Sequence, residues 1–141
     1  MNNDVSSNGA VFLTVTRCKT EEGFRSTAYM DTAGHRTIGY GFNVDAGISQ
    51  YAAEALLSAQ LQELDNNMQK YDWYHDCDSV RQSVFLDMAF NEGLHGLLAY
   101  PHMIAATAIG DWKTAAFECS VKDANLDASR YAPLRKLLLE G

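Results

Sequence analysis

A stretch of strand-forming residues punctuated by glycines, residues 25–44, restricts the fold more than any other part of the sequence. Thr, Tyr, Ile and Phe occur there among Gly34, Gly39 and Gly41, and Ala33-Gly34 supplies a turn. We therefore predict a small antiparallel sheet. An apolar stretch precedes it and predicts a helix that starts near residue 10 and ends at Gly23.

Helical patterns follow the predicted sheet. Apolar residues recur at steps of three and four after Gly47, which predicts a long amphipathic helix. A second periodic run, residues 80–89, is expected to end at Asn91-Glu92-Gly93, because glycine is a common helix stop.

The C-terminal part of the chain carries capping signals. Pro101 is expected to start a helix that Gly110 ends. Asp111 is the expected cap of the next helix, residues 112–118. A last helix is predicted at residues 129–139, where Pro133 suits only a first turn.

Together these elements predict an α+β fold in one domain, residues 1–141. We expect a small antiparallel β lobe at about residues 25–47 and a larger helical lobe that includes residues 10–24 and 71–141. A long helix, about residues 48–70, is expected to join the two lobes, with an active cleft between them. A chain of 141 residues lies within the usual size of one domain.

The charge balance excludes several classes of partner. With 11 basic and 18 acidic residues, the formal net charge is -7. This balance provides no general attraction to nucleic acid or to anionic membranes. We therefore expect no nucleic-acid partner.

Cysteines and apolar runs indicate the compartment. Cys18, Cys77 and Cys119 are odd in number and far apart, which predicts free thiols in a reducing compartment. The longest apolar run near the N-terminus, residues 10–15, is too short for a signal peptide, and no segment has the length that a bilayer span requires. We expect cytoplasmic synthesis without membrane insertion.

Two adjacent glutamates, Glu21 and Glu22, stand at the predicted end of the first helix. The negative pole of the helix dipole disfavours an ionised carboxylate there, and sequences break such local rules chiefly where function requires it. Glycosidases need one carboxyl that donates a proton and one that stays ionised. Glu22 and Asp31 are the natural pair, while Tyr40 and Phe42, in the strand near the cleft, are candidates for substrate contact.

A family resemblance starts from these residues. The strings Glu-Gly-Phe-Arg (22–25), Tyr-x-Asp-Thr (29–32) and Thr-Ile-Gly-Tyr-Gly-Phe-Asn (37–43) closely resemble the signature of the T-even phage lysozymes, glycoside hydrolase family 24. The resemblance implies a lysozyme-like fold without a cofactor. It further implies that Glu22 is the general acid, Asp31 the second carboxylate and Thr37 the hydroxyl that helps to hold the attacking water. The family acts by inversion.

The resemblance continues in order along the chain, through residues 47–49, 81–93, 100–104 and 110–116. Near the C-terminus it implies that Arg130 faces the catalytic acid and contacts substrate. Residues 121–128 depart from the family, because they lack its usual aromatic residue and have Asp123 where a tryptophan would fall.

Each of these residues also has a purely structural interpretation. Glu21 and Glu22 are compatible with a solvated helix end, Asp31 with a hairpin turn, and Thr37 with simple strand propensity. The glycines lack the Lys-Ser/Thr of a phosphate loop, and the four histidines lack metal-ligand spacing, so we expect neither nucleotide nor metal. Four aromatic side chains are expected in the core: Trp73, Phe85, Phe90 and Trp112.

The expected function is hydrolysis of the peptidoglycan glycan strand between N-acetylmuramic acid and N-acetylglucosamine, for host cell lysis. The enzyme is expected to be a monomer that a separate holin-like protein releases from the host cytoplasm. Two alternatives remain. A transglycosylase would need the acid but no carboxylate that positions water, and a non-catalytic module would bind cell wall or belong to a virion.

Overall fold

The computed structural model describes residues 9–119 and 128–141. Residues 1–8 and 120–127 lie outside this part of the chain. The elements in chain order are α1 (Gly9–Glu22), β1 (Arg25–Met30), β2 (Arg36–Gly39), β3 (Phe42–Asn43), α2 (Gln50–Met68), α3 (Asp72–His75), α4 (Ser79–Leu98), α5 (Pro101–Ala108), α6 (Trp112–Glu118) and α7 (Ala128–Glu140).

This order confirms the predicted α+β class. One small antiparallel sheet, with strand order β1-β2-β3, interrupts a chain that is otherwise helical over its described residues. The long helix after Gly47 is α2. None of the helices that the structure describes is long and apolar enough to cross a membrane.

The chain divides into two compact units, Met1–Ala53 and Glu54–Gly141. The first contains α1 and the whole sheet, and the division falls inside α2. The predicted assignment of residues 10–24 to a helical lobe remains a prediction.

Glycines in the left-handed backbone region shape the first unit. Gly23 has φ +67° and ends α1. Gly34 has φ +84° in the turn between β1 and β2. Such angles disfavour residues with a side chain, so glycine sets both reversals. The two strands pair with Tyr29 opposite Thr37 and Met30 opposite Arg36, and a bulge follows Arg25.

The second unit holds an apolar core. Helices α3 to α7 contribute most of its buried side chains, together with Met68 at the end of α2, Tyr100 and Cys119. Phe85 on α4 is completely buried. The edge of its ring packs against Trp73, with centroids 5.2 Å apart. Trp73 and Trp112 lie at the margin of this core, as predicted.

A buried polar cluster joins three parts of the second unit. The Tyr100 hydroxyl donates to Glu92 Oε1 at 2.9 Å, and the Tyr131 hydroxyl donates to Glu92 Oε2 at 3.0 Å. Burial, and then the Glu92 carboxylate, raises the pKa of Tyr131 to about 12. Both phenols therefore stay protonated donors at neutral pH, and they tie α4 to α7 and to the residue before α5.

Three details of the helices differ from expectation. Gly93 has non-helical angles (φ 77°, ψ 158°), but the helix resumes after it and continues to Leu98. Pro133 lies inside α7, beyond its first turn, because the helix begins at Ala128. Phe90 is 48% exposed and lies outside the core, so its predicted core position was wrong. The buried face of this part of α4 consists of Val84, Phe85, Met88 and Ala89. At 3.6 residues per turn, Phe90 lies on the opposite face of the helix.

Replacing Phe85 with alanine is expected to lower the free energy of unfolding by about 3–5 kcal/mol, because it leaves a cavity in a packed core. Phe90→Ala, on the same helix, removes an equal ring from a half-exposed position and should cost less than about 1 kcal/mol. Chemical denaturation of both variants measures the difference. Equal losses would contradict the described core.

Candidate active site

Glu22 is the last residue of α1, and its side chain is exposed. The carboxyl group lies against Gly41, in the turn between β2 and β3. A Cβ placed on Gly41 would meet Glu22 Oε2 at 3.0 Å, Cδ at 3.1 Å and Cγ at 3.3 Å. The end of the helix and the tip of the hairpin therefore meet at this carboxyl.

A second contact holds the same turn to α1. The Tyr40 ring packs on Phe24 with centroids 5.5 Å apart. The Lys19 ammonium lies 5.7 Å from the centroid of the Tyr40 ring, a cation–π distance. Because Lys19 and Glu22 are three residues apart, both project from one face of α1.

Asp31 occupies the turn after β1. Its Oδ1 accepts hydrogen bonds from the backbone N–H of Ala33 at 2.9 Å and of His35 at 2.7 Å. His35 Nδ1 lies 3.5 Å from Oδ2. The His35 N–H is the largest cause that lowers the pKa of Asp31, and the Ala33 N–H and the His35 imidazole add to it. The turn therefore keeps this carboxylate ionised and fixes its orientation.

Thr37 is 4% exposed and is the only buried side chain among the described residues of the first unit. Its hydroxyl donates to the His35 carbonyl at 3.1 Å. Since the hydroxyl proton is used there, the oxygen can act toward a further partner only as an acceptor.

His35 is a candidate site residue that sequence reasoning missed. Its backbone N–H binds Asp31 and its carbonyl binds Thr37, so one peptide segment positions both side chains. In the sequence, the histidines were considered only as metal ligands, for which they lack the spacing. Its place between Asp31 and Thr37 in the chain was the available signal.

The predicted substrate contacts lie in different surroundings. Phe42, in β3, is 62% exposed and available to a ligand. Tyr40 is half-buried between Phe24 and Lys19. These roles remain predictions.

Arg130 belongs to the second unit, in α7. Its Nη2 donates to Asp87 Oδ1 at 2.7 Å. Asn91 Nδ2 donates to the same oxygen at 2.8 Å. The contact predicted between Arg130 and the acid remains a prediction, and residues 120–127, which contain most of the departing stretch, lie outside the described residues.

Within residues 9–119 and 128–141, no group of three or more His, Cys, Asp or Glu side chains is arranged to hold a metal ion. The first unit presents an exposed glutamate at a helix end, an aspartate whose carboxylate accepts two backbone N–H groups, and a buried threonine hydroxyl.

Comparison with known proteins agrees with this geometry. The family model for phage lysozyme matches residues 19–128, which is well over half of the chain. The matched range includes Glu22, Asp31 and Thr37, whereas Arg130 lies just beyond it. No curated protein sequence matches the chain.

Proposed function

The chain belongs to the phage lysozyme family, and we propose that it hydrolyses the β-1,4 bond between N-acetylmuramic acid and N-acetylglucosamine in peptidoglycan, with inversion. Glu22 is the general acid in this proposal. Asp31 and Thr37 hold the attacking water. The family supports a lysozyme-type glycoside hydrolase, and the bond, the stereochemistry and the residue roles are the proposed part.

The observation that carries the proposal is the turn in which two backbone N–H groups hold the Asp31 carboxylate. Inverting glycosidases need a carboxylate that accepts a proton from water while a second carboxyl donates one to the leaving oxygen. Two backbone N–H groups lower the pKa of Asp31, so the carboxylate is ionised before water attacks, as the accepting role requires. Glu22 lacks such donors among the described hydrogen bonds and lies exposed at a helix end.

The proposed reaction transfers two protons. Glu22 gives its proton to the glycosidic oxygen as the bond from that oxygen to the anomeric carbon breaks. Water attacks the carbon from the opposite face and gives a proton to Asp31. The Thr37 oxygen accepts the second hydrogen of that water in a hydrogen bond, since its own proton is used at His35. No cofactor takes part.

The distribution of charge removes an objection to an anionic substrate. The whole chain has a formal charge of -7. Residues 9–53, which carry the proposed catalytic groups, are balanced between acidic and basic side chains. These are Arg17, Lys19, Arg25 and Arg36 against Glu21, Glu22, Asp31 and Asp45. The negative surplus therefore lies in the other parts of the chain.

The remaining parts of the proposal concern binding and biology. Phe42, Tyr40 and Arg130 are proposed to contact the glycan strand. The enzyme acts as a monomer in host cell lysis, after a holin-like protein has given it access to the cell wall.

Digestion of purified peptidoglycan by the wild-type protein tests the function. We expect new reducing ends, and proton NMR at early times should show the α-anomer first, because inversion converts a β-linkage to an α-product. An anhydro sugar would instead indicate a transglycosylase. Binding without any product over a range of pH and salt would indicate a non-catalytic module.

A further inference from the structure

We propose that the Tyr40-Gly41 turn positions the catalytic acid, and that a side chain at position 41 would displace the Glu22 carboxyl. This inference rests on the proposed role of Glu22 as the acid. It assigns a positioning role to a backbone segment that makes no contribution to the acid–base chemistry itself.

The first observation is steric. The three atoms nearest to a Cβ built on Gly41 all belong to Glu22, at 3.0–3.3 Å. These distances are shorter than ordinary van der Waals contact between carbon atoms. The neighbour in question is the end of a flexible side chain, so an added methyl would move the carboxyl rather than unfold the turn.

The second observation is the attachment of the turn to α1 at two points. Tyr40 lies within cation–π distance of Lys19 and packs on Phe24, on either side of Glu22 in sequence. Gly41 lies against Glu22 itself. The hairpin that carries Thr37 in β2 is thereby joined to the helix end that carries the acid.

Backbone conformation already favours glycine at position 41, so the steric effect on Glu22 is judged against a second glycine with a similar backbone. Gly41 has φ +85°, and Gly47 in the same unit has φ +74°. Nothing lies within 4 Å of a Cβ built on Gly47. The two positions impose a similar conformational cost on an alanine, and they differ in whether the new methyl meets Glu22.

The experiment compares Gly41→Ala with Gly47→Ala on purified peptidoglycan. Both should lower the melting temperature by a similar amount. Gly41→Ala should also lower kcat by about 10- to 100-fold with KM nearly unchanged, because small displacements of a catalytic group have effects of this size. Gly47→Ala should keep the wild-type kcat.

A second variant separates the effect on kcat from a loss of stability. Asparagine tolerates the left-handed region better than alanine does, so Gly41→Asn should fold more stably while it places a Cβ at the same point. We expect the same fall in kcat with a smaller change in melting temperature. If kcat instead recovered with stability, the positioning role would be refuted.

A readout that does not depend on activity separates this inference from the proposed function. The ¹³C resonance of the Glu22 carboxyl should shift in Gly41→Ala and stay in place in Gly47→Ala. Unchanged resonances together with equal kcat in both variants would overturn the positioning role. An inactive wild type would refute the proposed function, and the carboxyl resonance would then decide whether Gly41 sets the position of Glu22.

Discussion

Replacing Glu22 with glutamine is expected to lower kcat on purified peptidoglycan by about 10²- to 10⁴-fold, the usual contribution of a general acid. Glutamine has nearly the same shape and fits the same place beside Gly41, but its amide is not an acid at neutral pH. The leaving oxygen would then depart without a proton. Release of reducing ends under saturating substrate measures kcat.

Glu21→Gln is the matched control. Glu21 precedes Glu22 on the same helix end, and both side chains are exposed. The carboxyl that meets Gly41 is that of Glu22. Glu21→Gln removes the same charge from the same region and should retain wild-type kcat. Similar losses in both variants would show that charge, and not acid catalysis, explains the effect.

Much of the fold was predictable because local chemistry determines where its elements end. Gly23 ends α1 and Gly110 has φ +72° after α5, as their positions in the sequence predicted. Asp111 accepts a hydrogen bond from the Thr114 N–H at 3.1 Å and caps α6. In each case one residue and its immediate neighbours are sufficient, since a helix end needs a reversal or a cap.

The elements that sequence reasoning misjudged depend on distant partners. α4 resumes after Gly93 beside a carboxylate, Glu92, that accepts from Tyr100 and Tyr131. These donors come from positions before α5 and within α7. A periodic pattern along one helix contains no information about them, so the resumption of α4 was not predictable. Phe90 is a different case, because the spacing of the buried residues of α4 already places it on the opposite, exposed face.

In the candidate site, too, some features were predictable from the sequence and others depend on the folded backbone. Glu22, Asp31 and Thr37 were predicted from residue type, spacing and resemblance. The backbone links that orient them were not. The peptide of His35 and the absent side chain of Gly41 act through main-chain geometry, which appears only when the hairpin is folded.

Replacing Asp31 with asparagine separates its two possible roles. As a turn residue, Asp31 needs only an acceptor for the N–H groups of Ala33 and His35, and the asparagine oxygen supplies one. As the second carboxylate, it must accept a proton from water, which a neutral amide cannot do. We expect kcat to fall by about 10²- to 10⁴-fold while the variant stays folded. A turn role alone predicts nearly wild-type kcat.

The pH dependence of stability gives an independent check on Asp31. Its pKa in the folded protein lies below the ordinary value of 3.8. Its ionised form therefore contributes stability that is fully present above that value and is lost as the pH falls through the folded pKa. The wild type should have a higher melting temperature than Asp31→Asn at pH 7, and the difference should vanish in strong acid.

Asp45→Asn serves as control. The pKa of Asp45 is likewise lowered, by Arg36, so the melting temperature of this variant should depend on pH in the same way. Its kcat should stay at the wild-type value. A loss of kcat in Asp45→Asn equal to that in Asp31→Asn would contradict the specific role of Asp31.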